Sequence, residues 1–106
     1  MHKVRIFAAW GASTVVEDVV LIRLKVPRNE QWVLREFRAT SLGMANCEAI
    51  LRASGVVRAR QSNASPQAPV SLSTPVESGE DITMELSNYT AAVVNCVMHL
   101  TVDTYA

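Results

Sequence analysis

From Ala92 to Val102 the chain alternates without a break. Ala92, Val94, Cys96, Met98, Leu100 and Val102 share one parity, and Val93, Asn95, Val97, His99, Thr101 and Asp103 share the other. The second set turns polar towards its end. A period of two matches a β-strand, whose successive side chains point to opposite faces, and does not fit the 3.6-residue turn of a helix. This segment, 91–104, is therefore read as the longest strand, with one face in a core.

The rest of the chain repeats the signal in shorter pieces. Val4–Ala9 reads as a first strand or as part of an extended arm, and Gly11–Thr14 as a loop. Glu17–Val26 is a strand whose second half sets Ile22, Leu24 and Val26 against Arg23 and Lys25. Pro27–Glu30 breaks it, because proline offers no ladder donor. In Gln31–Leu42 the apolar parity changes between Trp32/Leu34 and Val33/Phe37, and a bulge near Arg35–Glu36 would reconcile the two. Gly43 ends that run. Positions 46–53 alternate weakly through Cys47, Ala49, Leu51 and Ala53, with a short helix over 44–51 as the competitor. Gly55 is a turn, and Val56–Arg60 a short strand. Positions 61–69 are polar and proline-bearing, hence a loop. Val70–Thr74 is a strand, and Pro75–Glu80 a turn in which Gly79 can take positive φ. Asp81–Ser87 places Ile82, Met84 and Leu86 inward, and Asn88–Thr90 turns the chain.

About eight short strands with turns between them predict an all-β fold: an antiparallel two-sheet sandwich, jelly-roll-like. An immunoglobulin-like sandwich is the rival. It would place a tryptophan between two cysteines, whereas Trp32 precedes both Cys47 and Cys96. The 106 residues suit a single domain, 1–106, with 1–13 as a candidate extended N-terminal arm.

Charge narrows the function. Ten cations and ten acids cancel, which argues against a nucleic-acid binder or a binder of anionic membranes. Yet every cation lies at or before Arg60, so residues 1–60 carry +5 and residues 61–106 carry −5. Such halves pair within one chain, between copies, or with a larger scaffold. Hydrophobic residues make up 49%, too many for intrinsic disorder. No run approaches the roughly 20 apolar residues of a membrane helix. The N-terminal apolar run is too short for a signal peptide and lacks a cleavage site.

No nucleotide, zinc-protease or serine-hydrolase motif occurs, and no base, nucleophile and orienter can be assembled from the spacings, so no enzyme is predicted. His99 and Asp103 lie about 13 Å apart on one strand face. Glu77, Glu80 and Asp81 read as a solvated turn, and no metal or cofactor is expected. Cys47 and Cys96 match no metal or redox spacing and read as small buried hydrophobes; spacing alone leaves a disulfide open. Without a secretory signal the sequons at Asn63 and Asn88 read as chance matches, and asparagine is also a turn former. Two groups of residues suggest contact with a partner. Arg35, Arg38, Arg58 and Arg60 would form one basic patch for an acidic protein surface if the third and fifth strands share a sheet, as is expected here of a jelly roll. Ile6, Phe7 and Trp10 are the apolar anchors of the candidate arm.

Two stretches carry a resemblance. Val26-Pro27, followed by Gln31–Thr40, and then Leu72–Asn88 give the pattern of proline, loop and aromatic-bearing strand, followed by Pro-x-x-x-Gly-acid-acid-strand-Asn. Over roughly 26–106 this resembles small jelly-roll-like sandwich proteins of tailed-phage virions, of the capsid decoration or cement type. The resemblance carries over no individual functional residue. It implies a non-enzymatic virion structural protein that is made in the host cytoplasm. Such a protein would be a homo-oligomer, with a trimer favoured, and would bind the major capsid protein on the outer capsid and reinforce the shell. The alternative is a carbohydrate- or receptor-binding sandwich of a phage fibre or spike, which would need aromatics among Trp10, Trp32, Tyr89 and Tyr105 exposed as a platform, with the burial of Trp32 as the discriminating observation.

Overall fold

The computed structural model describes residues 2–41, 47–62, 69–90 and 92–106. Eight strands run in chain order: β1 (His2–Ser13), β2 (Glu17–Lys25), β3 (Gln31–Ser41), β4 (Cys47–Ala53), β5 (Val56–Ser62), β6 (Val70–Val76), β7 (Asp81–Asn88) and β8 (Val94–Tyr105). They form two four-stranded sheets, ordered β1-β8-β3-β6 and β2-β7-β4-β5, and the pairings are antiparallel. Only β4 and β5 follow one another within a sheet; every other pair of consecutive strands lies in opposite sheets. That order is the jelly roll, and it puts the alternating faces of both sheets against one core. The body is long and thin, 44 × 23 × 18 Å.

The alternation seen in the sequence is the core. Val94, Cys96, Met98, Leu100 and Val102 of β8 and Ile82, Met84 and Leu86 of β7 are buried, and meet Leu34 and Phe37 of β3 and Leu51 of β4. The strand reading of 46–53 holds from Cys47 onward, since that segment is β4 between β5 and β7. The bulge in β3 falls where the parity break placed it. Leu34 pairs Val102 and Glu36 pairs Thr101, so Arg35 is the extra residue and both Leu34 and Phe37 face inward.

The turns follow their backbone chemistry. Ser54 (φ 54°) and Gly55 (φ 79°) form a two-residue hairpin between β4 and β5, the connection that demands positive φ at both central positions. Gly79 (φ 85°) sits in the turn after β6. Its N–H donates to the Val26 carbonyl at 2.9 Å, while Val26 N–H donates to Glu80 O at 3.0 Å. The Pro27 and Gly79 corners are thus tied together.

Three expectations are corrected. Pro75 is not in the turn but inside β6, opposite Val33; β6 is an edge strand, where a missing N–H leaves the ladder intact. Residues 2–13 are not a free arm, because β1 pairs with β8 without a register shift from His2–Tyr105 to Ser13–Val94. Gly11 and Ala12 belong to this strand and not to a loop. The Gly43 break, most of the 61–69 loop and the Asn63 sequon lie outside the described residues. No helix among the described residues is long and apolar enough to cross a membrane.

Candidate functional site

β1 is an edge strand, and its two faces differ in what they meet. Odd positions turn towards the second sheet: Ala9 and Ser13 are buried, and Phe7 and Gly11 are half-buried. Even positions turn outward and are exposed. Val4 is 61% exposed, Ile6 67% and Trp10 68%, with the exposed Ala8 between Ile6 and Trp10 and the exposed Ala12 beyond Trp10. The register extends this stripe onto β8, where Trp10 lies opposite the half-buried Val97. Exposed Val93 adjoins the same end. At the spacing of a strand the stripe runs about 30 Å along the sandwich. Contiguous apolar surface of this kind marks interaction sites, whereas scattered exposed residues do not.

Of the three predicted anchors, Ile6 and Trp10 stand on this stripe, and Phe7 does not. Phe7 points inward and stacks on Trp32, with centroids 5.2 Å apart. The Arg5 guanidinium covers both rings, at 5.0 Å from Phe7 and 5.8 Å from Trp32. Trp32 is 2% exposed, and its indole N–H donates to Glu30 Oε1 at 3.0 Å. It therefore offers no platform to a sugar. Val4, the third large member of the stripe, was missed in the sequence; reading even positions 4, 6 and 10 as one outward face would have found it.

The basic quartet is split. β3 and β5 belong to different sheets, so Arg35 and Arg38 lie on one outer face of the sandwich and Arg58 and Arg60 on the other. Two of the four are also ion-paired: Arg35 Nε to Asp103 Oδ2 at 2.5 Å, and Arg60 Nη1 to Glu48 Oε1 at 2.7 Å. Arg38 adjoins the stripe, sharing a small hollow with Ile6, Glu36, His99 and Thr101.

Charged and polar groups stand at both ends of β1. At the start of β1, His2 Nε2 lies 3.1 Å from Asp103 Oδ1, and its ring stacks on Tyr105 with centroids 4.9 Å apart. The hydrogen bond to His2, then that from Arg35, holds the Asp103 carboxyl below its ordinary range. Lys3 and Arg5 follow on β1. At the far end the Ser13 hydroxyl donates to Glu17 Oε1 at 2.9 Å. Asn88, 1% exposed, anchors that corner: its amide donates to Ser13 Oγ at 3.4 Å and to Ala92 O at 3.1 Å, and its carbonyl accepts from Thr90 N–H at 3.0 Å. Asn88 of that sequon is thus the buried last residue of β7, and not a turn residue as expected.

Elsewhere the polar side chains serve one another. Glu77 accepts from Gln31 at 2.7 Å, Glu80 from the Glu77 N–H at 2.8 Å and from the Ser54 hydroxyl, and Asp81 lies 4.0 Å from Arg23. These hydrogen bonds hold the Glu80 carboxyl low. An open hollow of about 540 Å³ on the outer face of the second sheet is lined by Arg23, Arg52, Thr83 and Glu85, with Arg52 on Glu85 at 2.7 Å. Among the described residues no three His, Cys, Asp or Glu side chains gather as metal ligands. Comparison with protein-family models and with curated proteins finds no match to this chain.

Proposed function

We propose that this chain is a non-enzymatic structural protein of a virion, a decoration or cement protein that binds the major capsid protein on the outer capsid and stabilises the shell. The observation that carries the reading is the outward apolar stripe of Val4, Ile6 and Trp10 on the β1 edge. Burying such a face releases free energy at roughly 25 cal/mol per Å² of apolar area, which suits a protein that works by assembly. The jelly roll supports it as a fold used by viral capsid and lectin domains, and the resemblance of residues 26–106 points to the virion. Arg38 beside Ile6 supplies a cation for an acidic capsid surface.

The fibre or spike alternative retains one exposed tryptophan, Trp10, for a glycan. A single experiment separates the two. The labelled chain is sedimented with expanded, undecorated phage heads and, in parallel, screened on a glycan array. Saturable binding to heads that Trp10→Ser weakens, with no glycan bound, is the expected result. Binding to glycans but not to heads overturns the capsid reading in favour of the fibre one.

A further inference from the structure

Four edge strands bound the two sheets among the described residues, and three of them are guarded. β2 carries Glu17, Asp18, Arg23 and Lys25 and is irregular between Val20 and Ile22. β5 carries Arg58 and Arg60, and β6 contains Pro75. Charge, proline and bulges are the devices that stop a sheet edge from adding another strand. β1 lacks all three from Ile6 to Ser13, and its ladder to β8 is regular throughout.

We infer that β1 pairs antiparallel with β1 of a second copy, with Ala8 on the two-fold axis, so that β1-β8-β3-β6 continues into an eight-stranded sheet across a dimer. The inference rests on the reading of the β1 face as an assembly surface and names its first occupant. Three features select this occupant and this register. An antiparallel pair keeps each residue on its own face, so the outward stripe of one copy continues into that of the other. With Ala8 opposite itself, Ile6 lies across from Trp10 of the second copy, and the two largest exposed apolar side chains of the strand cover one another twice. Charge also agrees. Lys3 falls across from Ser13 of the second copy, whose hydroxyl holds the Glu17 carboxylate, and Arg5 across from uncharged Gly11. Lys3 of each copy thus lies towards Glu17 of the other, and no two like charges stand opposite one another, whereas an in-register parallel pairing would set Lys3 on Lys3 and Arg5 on Arg5. A pair of identical edges closes on itself as a two-fold dimer, in contrast to the trimer that the resemblance implies.

The test reads native mass by light scattering through a dilution series and cross-linking of two single-cysteine additions. Wild type is expected to be a dimer that dissociates on dilution. Residues opposite one another in such a pair lie about 4.5–5.5 Å apart between Cα atoms, within disulfide reach. Ala8→Cys is therefore expected to oxidise to a covalent dimer, and Val4→Cys, facing Ala12, is not. Wild type, with both its cysteines buried, is the blank. Ile6→Lys and Trp10→Glu change exposed side chains, so both should fold. Each alone is expected to weaken the dimer by roughly tenfold or more, and an equimolar mixture to recover it, because the two introduced charges then meet. A monomer at every concentration, a trimer, or a dimer that Ala8→Cys does not cross-link overturns the proposal. The head-binding assay is independent: a dimer that ignores heads removes the capsid reading and leaves the pairing, and a monomer that binds heads does the reverse.

Discussion

Phe7 and Trp32 stack with ring centroids 5.2 Å apart and planes 22° from parallel, although β8 separates their strands within the sheet. This contact makes β1 part of the core on one face while the other face stays open. Replacing Phe7 by Ala removes the ring and opens space beside Trp32 and under Arg5. The expected loss is about 2–3 kcal/mol, below the largest core truncations because Phe7 is only half-buried. Ile6→Ser, one residue away on the outward face, should change the stability of the dissociated monomer, read at high dilution, by less than about 0.5 kcal/mol. Urea melts of the two variants check the contrast, and equal losses would show that the two faces of β1 are not distinct.

The same contact divides the two indoles. Trp32 is 2% and Trp10 68% exposed, so native fluorescence should be the sum of a blue, shielded component and a red, quenchable one. In Trp10→Phe the remaining emission should be blue-shifted and resist iodide. Ready quenching in that variant would place Trp32 in solvent and revive it as a sugar platform.

How much of this was legible follows from the physics of each segment. β7 and β8 were readable because they are central strands, where one face must be buried and the period of two is strict. The Arg35 bulge was readable because Leu34 and Phe37 cannot both face the core without an extra residue between them. β1 was ambiguous because its outward face is itself apolar; Ile6, Phe7, Ala8, Ala9 and Trp10 show no alternation, and arm and strand look alike. The arginine patch failed for a different reason. Which sheet β3 and β5 join is decided by chain crossings, not by local pattern, and the jelly roll separates them. The turn expected at Asn88 begins one residue later, since Asn88 ends β7, and its bond to Ser13, 75 residues away, leaves no trace in local sequence.

Gly11 is required by its neighbour in the facing sheet. A Cβ placed there would lie 2.3 Å from Leu21 Cδ2. Gly11→Ala should therefore cost roughly 1–2 kcal/mol as the leucine tip is displaced. The strain resides in one contact, so in a Leu21→Ala background the added penalty should nearly vanish. A double-mutant cycle measures this coupling, and additive losses would assign the effect to the backbone of β1 instead.

Burial and the neighbouring Cys47 push the Cys96 thiol up to about 11, with burial the larger cause. Reactivity needs the thiolate and access, and Cys96 has neither at neutral pH. Native protein at pH 8 should take up no alkylating agent over the time in which a free thiol reacts fully. Unfolded, reduced protein should take up two. Rapid uptake of one label by the native state, read by mass, would show that the corner at β4 and β8 opens.

Asp103 ties the start of β1 to β8 and β3, and this link should be sensitive to acid. Its carboxyl is held low by His2 and then Arg35, so the unfolded chain takes up a proton more readily than the folded one. Stability from this group is complete above the ordinary aspartate value of about 3.9 and is lost as pH falls through the depressed folded value. The direction is opposite to that of a group whose folded value is raised. Glu80, held low by Ser54 and the Glu77 N–H, adds to the same acid limb. Urea midpoints measured from neutral pH downwards should stay level in this respect until just above 4 and then fall. Asp103→Asn should lower the neutral plateau and flatten the limb, leaving the share due to Glu80, and Glu80→Gln in addition should flatten it further. An acid limb unchanged in the double variant would show that neither carboxylate is held by the fold.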